Sequence, residues 1–351
     1  ALLKNTICLT RGDEAFVSPH IGGLDDAATC AALAEMVEHL CALLDVRPQV
    51  VAHDLHPDFF STRFALQFAQ QHELPLHAVQ HHHAHVAAVA AEHGVDEPLL
   101  GLALDGVGLG DDGTAWGGEL LRVDGAGFER LGHVATIALP GGDAAAREPW
   151  RVAAAVLHAL GRGDEIAQRF GDQRGAAAVA QMLVRDLRCP RTSSLGRWFD
   201  AAAALLRVRL RNAYEAQAAM QLEALASARA PACDDVLAGL VPLRQDGTLD
   251  PLPLLARLAD EGDAERGATL FHHALAAALA RWVVAASRST GLRTVALSGG
   301  CLLNALLARL LETHLTAAGL RVLQARQASP GDGGLSLGQA WVALCRPAAG
   351  G

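Results

Sequence analysis

The run Leu99-Leu100-Gly101-Leu102-Ala103-Leu104 stops at Asp105-Gly106-Val107-Gly108, an apolar stretch of strand length that meets an acid among glycines. An unbroken apolar run reads as a strand buried on both faces, and the glycines after it let backbone N–H groups approach an anion. The same arrangement recurs at Thr294-Val295-Ala296-Leu297, which enters Ser298-Gly299-Gly300 with Asn304 one turn into the helix expected next. Further apolar runs lie at 6–10, 48–52 and 320–324, separated by long Ala/Leu-rich stretches. Strands alternating with helices make the chain α/β. Residues 150–285 read as mostly helical, broken most clearly at 161–164 and 189–196, and Asp111-Asp112-Gly113-Thr114 reads as a hairpin turn. A junction at 95–98 divides the chain into a lobe at 1–97 and a second at 98–351. The last helix, beyond Gly338, is expected to return and pack on the first lobe, and the two glycine loops to face each other across the cleft.

At 351 residues the chain exceeds the usual size of a single core, which supports two lobes. With 51% hydrophobic and 19% charged residues it is globular, and with no run of 18 apolar residues no membrane span is expected. The first residues lack the charged leader and apolar core of a secretory signal, and the absence of an initial Met suggests a trimmed chain. Seven cysteines (Cys8, Cys30, Cys41, Cys189, Cys233, Cys301, Cys345) form no C-x-x-C pair and read as reduced thiols of a cytoplasmic protein. A net charge of -9 with one Tyr argues against a general nucleic-acid surface.

Val79-Gln80-His81-His82-His83-Ala84-His85 opens an Ala-rich segment ending at Glu92-His93, so it reads as the start of a helix. On a helix His81 and His85 share a face, and two imidazoles four apart make half of a divalent-metal site. The bland alternative is a histidine tract that flanks a helix and binds metal adventitiously. Asp105 and Asp332, the latter in Pro330-Gly331-Asp332-Gly333-Gly334, are carboxylates at strand-end loops that can complete a His/Asp site. Mixed His/Asp ligation suits iron or zinc, and magnesium less specifically. His82 and His83 are read more readily as supporting or exposed residues than as catalytic bases.

Arg147, Glu148 and Arg151 follow the Gly141-Gly142 turn, where arginines suit a carboxylate or phosphate. Equally, Glu148 before Pro149 suits the first turn of a helix. Glu215 and Gln217 offer ribose contacts or merely the polar face of a helix, and the latter is slightly preferred.

The stretches 80–85, 104–117, 139–151, 192–205, 214–223, 297–304 and 331–339 occur in the order found in HypF proteins, and the chain resembles that family over nearly its whole length. Lys4-Asn5-Thr6, Arg11 to Gly22 and Asp54-Leu55-His56-Pro57-Asp58 are similar to it as well. The resemblance implies a two-lobed actin-like ATPase (ASKHA) fold with a helical insertion at about 150–285. It implies an ATP-dependent carbamoyltransferase that uses carbamoyl phosphate, through carbamoyl adenylate, to carbamoylate the C-terminal cysteine of HypE during cyanide ligand synthesis for nickel-iron hydrogenases. By the wider group that includes TsaD and TobZ, His81, His85, Asp105 and Asp332 would hold the metal over ATP phosphates. Gly106, Gly299, Gly300 and Asn304 would lie near the nucleotide, and Gly196 and Asp200 match a G-x-x-x-D element that contacts ribose.

Gly331 departs from that wider group, which often has Asn there, and Cys301 reads as a small packing residue. The acylphosphatase, zinc-finger and YrdC-like parts of longer members are not evident, so adenylate formation is expected to come from a YrdC-like partner. A tRNA-threonylcarbamoylating enzyme and a non-catalytic nucleotide-gated scaffold are the alternatives. The acidic charge counts against the first, and the complete set of metal ligands against the second.

Overall fold

A computed structural model describes residues 3–229 and 234–346; Cys233 lies outside them. Its centre is a seven-stranded sheet in the order 321–324, 294–298, 99–109, 115–124, 191–192, 137–138, with 127–133 also paired to 115–124. Leu99–Leu109, Thr294–Ser298 and Arg321–Gln324 run parallel, and the hairpin partner Ala115–Asp124 runs antiparallel to the first. Asp111 to Thr114 form the hairpin turn, as their composition predicts. Two small sheets, Cys8–Arg11 with Glu14–Val17 and Val51–Asp54 with Leu76–Val79, come from the first hundred residues.

One face of the large sheet carries helices of the mostly helical region, notably Leu195–Leu205 and Ala264–Thr290, in the main hydrophobic core. Among the described residues only Ala264–Thr290 is long and apolar enough to cross a membrane, and 78% of its most apolar window is buried within the protein. The opposite face carries His81–Glu92, whose Val86, Val89 and Ala90 pack against Leu99, Ala103, Trp116 and Ala296. Each fully buried valine there contributes about 1.5–3 kcal/mol.

Leu335–Cys345 covers the outer side of that helix and also touches both small sheets. Two glycines permit this sandwich. A Cβ on Gly101 would sit 2.4 Å from Val86 Cγ2, and one on Gly338 would sit 1.8 Å from the Ala84 carbonyl oxygen. The histidine helix is therefore closely approached by backbone on both sides.

The expectation that the two glycine loops face each other across a cleft is overturned. Ser298 pairs with Ala103 in a parallel ladder, so both loops leave the same edge of one sheet, side by side.

Candidate metal and nucleotide site

The histidine helix begins at His81 because Gln80 caps it, accepting the His83 N–H on Oε1 at 2.8 Å, and alanines follow. This places His81 and His85 one turn apart with ring centroids 4.9 Å from each other, both buried. Their Nε2 atoms point toward the sheet edge where Asp105 emerges.

Asp105 leaves the ladder at a bulge: Leu104 pairs with Gly118 and Gly108 with Trp116, so 105–107 are freed from regular pairing. Its Oδ1 accepts the Gly300 N–H at 2.9 Å, which leaves Oδ2 for the histidines. Gly299 adopts φ +96, and a Cβ there would meet the Leu104 carbonyl oxygen at 2.3 Å, so only glycine allows the second loop to lie against the first.

Asp332 arrives on a third loop. The Glu92 carboxylate at the far end of the histidine helix accepts three successive N–H groups, from Arg326, Gln327 and Ala328. Gly299 N–H then donates to the Pro330 oxygen at 2.7 Å. A Cβ on Gly331 would lie 3.2 Å from Gly300 Cα, so the third loop packs closely on the second.

The result is a four-residue cluster. His81 Nε2 lies 3.3 Å from Asp105 Oδ2 and 3.6 Å from Asp332 Oδ1, and His85 Nε2 lies 3.4 and 3.6 Å from the same two atoms. All four donor atoms fall within 4.8 Å of one another. Bonds of about 2.1 Å at tetrahedral angles separate donors by about 3.4 Å, so the spacing fits one divalent ion. His85 Nε2 is buried without a hydrogen-bond partner, as expected of a ligand atom. The donor set suits a transition metal and does not choose among iron, zinc and others.

Burial disfavours the charged imidazoles, yet the surrounding carboxylates outweigh it: His81 is raised well above its usual value and His85 is raised. Burial would likewise raise Asp105 and Asp332, but the two histidines hold both low. The sequence reading did not assign Asp54, although it lies in a stretch that carried the resemblance. Asp54 Oδ2 accepts from His81 Nδ1 at 2.7 Å, and its Oδ1 accepts the His56 N–H at 2.9 Å. Burial pushes this carboxyl up, but the bond to His81 brings it down to about 2. Its acceptance at Nδ1 turns Nε2 toward the cluster, the usual arrangement behind a metal-bound histidine.

His82 is buried beside the cluster, with Nδ1 3.1 Å from Gln80 Nε2; burial first and the His81 charge next keep it neutral. His83 turns to the Gly125 oxygen at 3.1 Å, and burial lowers it to about 4. Gly106 has open space where a Cβ would project, and its carbonyl accepts from Ser194 Oγ. A Cβ on Gly196, in the first turn of Leu195–Leu205, would lie 3.3 Å from Gly106 Cα. Asp200, on the same helix, pairs with Arg197 at 2.8 Å, and burial lifts its carboxyl to about 6.

Asn304 proves to be the N-cap of Ala305–Ala317 rather than a residue one turn inside it. Its Oδ1 accepts the Leu307 N–H and its Nδ2 lies 2.9 Å from His272 Nε2. Cys301 is half-buried beside Asp105, and burial pushes its thiol up. Glu215 makes an exposed ion pair with Lys4 at 3.0 Å. Arg147 is exposed, and Glu148 bonds Arg151 and Arg211 instead of reaching the cluster.

Three loops from one sheet edge bring a His2Asp2 cluster, a candidate metal site, beside a glycine turn in a domain of the Kae1-like kind. Two family descriptions match the chain, "HypF Kae1-like domain" at residues 1–92 and "Carbamoyltransferase, Kae1-like Domain, second subdomain" at 101–339. The chain belongs to the HypF carbamoyltransferase family.

It is 58% identical over 367 residues to carbamoyltransferase HypF2 of Cupriavidus necator, covering 98% of this chain and 46% of that protein. A carbamoyltransferase HypF homolog of the same organism is 53% identical, covering 99% and 91% respectively. A crystal structure of full-length HypF in a phosphate- and nucleotide-bound form superposes with a TM-score of 0.87 at 33% identity, over 97% of this chain and 45% of that one. The T. kodakarensis HypF structure gives the same TM-score at 29% identity, covering 98% and 47%. The chain thus spans about half the length of HypF2 and of the two crystallised proteins.

Proposed function

We propose that this chain carries the carbamoyl-transfer site of HypF: it binds ATP or carbamoyl adenylate and passes the carbamoyl group, drawn from carbamoyl phosphate, to the C-terminal cysteine of HypE in the cytoplasm. The observation that carries this reading is the convergence of His81, His85, Asp105 and Asp332 at the sheet edge of a chain matching the HypF Kae1-like domain. A divalent ion held there supplies Lewis-acid polarisation and a template for phosphate oxygens. The protein supplies the rest. Open space at Gly106 leaves room for a phosphate beside the cluster, while the Gly299 and Gly300 N–H groups hold Pro330 and Asp105 and so fix the loops around it. Gly299, Gly300 and Asn304 would border the nucleotide, with Gly196, Asp200 and Glu215 toward the ribose. An incoming thiol reacts as the thiolate. Burial and the His81 charge resist protonation of His82, and His83 is committed to Gly125, so both histidines are assigned to supporting the cluster and not to taking the thiol proton. Arg147 and Glu148 lie at a separate turn and are assigned to substrate approach.

The test supplies HypE with carbamoyl phosphate and ATP, with and without a separate YrdC-like adenylate-forming protein, and follows the HypE terminal cysteine by mass spectrometry. Carbamoylation that needs the YrdC-like protein and disappears in Asp332→Ala is expected. Transfer that persists in Asp332→Ala refutes the site. Transfer without the YrdC-like protein refutes the division of labour.

A further inference from the structure

Of the two arginines beside the Gly141-Gly142 turn, Arg151 is paired with Glu148, while Arg147 is exposed. Glu148 pairs with Arg151 and, at 2.8 Å, with Arg211. Next door, Asp172, Gln173, Arg174 and residues 207–211 line an open cavity of about 530 Å³, where Arg174 and Arg207 have no side-chain partner among the described residues and Arg211 is held by Glu148 and Gln173.

Local sequence explains why the guanidinium groups collect there. In Arg207-Val208-Arg209-Leu210-Arg211 the two apolar residues pack against the main core, which leaves the arginines to the open side. Arg207 holds φ +57 just beyond the C-cap Leu206, a position where glycine is usual and a side chain is strained by about 1 kcal/mol. Arg174, Arg207 and Arg209 have no carboxylate partner among the described residues; Arg209 donates to Gln221 Oε1 at 3.1 Å. Asp172 is the one acid lining the cavity. Such a concentration of cations stands out in a chain of net charge -9.

We propose that this cavity is a second anion site that binds a small molecule bearing two or more phosphate charges, such as a diphosphate. Guanidinium forks match phosphate oxygens in bidentate pairs, and the volume falls within the range of small-ligand pockets. Val208 and Leu210 are half-buried against the core, so the cavity lacks the exposed apolar anchor that a polypeptide partner would use. The site is separate from the metal cluster. Leu195–Leu205 abuts Gly106 with its first turn and reaches the cavity at its last, and 11 residues of helix span about 16 Å. The inference rests on this geometry and not on the carbamoyl-transfer reading.

Pyrophosphate titrated calorimetrically into the full chain at low salt is the direct test, with Arg207→Glu/Arg209→Glu as the main variant and Arg174→Glu as the second. Arg281→Glu/Arg288→Glu, on an exposed face of the long helix, controls for net charge, and circular dichroism confirms folding. Binding weakened about tenfold or more in both cavity variants, retained in the control and in Asp332→Ala, and falling with salt is expected. Unchanged affinity in the cavity variants overturns the proposal, as does loss of binding in Asp332→Ala, which would place the anion at the metal edge. Binding of a glutamate-rich peptide in place of pyrophosphate would transfer the cavity to an acidic polypeptide and refute the small-phosphate assignment.

Discussion

Replacing Asp54 by Asn tests whether the histidine cluster is built to bind metal or is only a buried hydrogen-bond network. The substituted side chain can keep its oxygen on the His56 N–H, but its amide nitrogen would then present donors to His81 Nδ1, where the carboxylate accepts at 2.7 Å. His81 would be driven to the tautomer with its proton on Nε2, the nitrogen that lies 3.3 Å from Asp105 Oδ2. A protonated nitrogen cannot ligate. Loss of a hydrogen-bond partner behind a metal ligand typically costs 10–100-fold in affinity, about 1.4–2.7 kcal/mol, and the forced tautomer places the change toward the upper end. Zinc or ferrous iron affinity, measured by competition with a chelator, is the assay, with circular dichroism to confirm folding. Affinity within about twofold of wild type in a folded Asp54→Asn chain would refute the reasoning, because neither His81 orientation nor its tautomer would then matter.

Metal binding near pH 7 should release roughly one to two protons, since His81 and His85 are raised above their ordinary values and must lose those protons to ligate. Affinity should therefore rise with pH and weaken as pH falls; calorimetry in buffers of different ionisation enthalpy measures the release, and none would contradict it. Asp200, lifted to about 6 by burial, keeps its proton in the folded state between about pH 4 and 6 where the unfolded chain has lost it. Its contribution to stability thus falls as pH rises through that window, and Asp200→Asn should gain about 2 kcal/mol on wild type between pH 4 and 7, read from denaturant unfolding at each pH. Gly338→Ala should destabilise by about 2 kcal/mol or more, because the added methyl meets the Ala84 carbonyl; unfolding midpoints unchanged from wild type would show that the two helices can part freely.

Members of the His/Asp cluster were legible where chemistry is local. Spacing of four placed His81 and His85 on one face, and an apolar run ending in an acid among glycines marked Asp105 at a strand end. The strand ends were also readable, since Leu99 onward and Thr294 onward appear as expected, although the first of these continues to Leu109 and its hairpin partner. Asp332 was assigned through its loop and the family pattern, and the structure brings it to the other three.

Neighbours could not be read in this way. That the two glycine loops lie side by side follows from the parallel pairing of strands nearly two hundred residues apart, which no local pattern encodes. Asp54 looks like any acid after a short strand until His81 is set against it. Glu92 looks like a helix-terminal solvent residue until the 326–328 backbone donates to it. Glu148 looks like a helix-terminal acid until Arg211 folds back on it. Periodicity and turn chemistry depend on residues a few positions apart and are written in the sequence. Partnership between distant charges depends on which backbones can approach, and here glycines at 101, 299 and 338 set those distances only once the sheet and helices are packed.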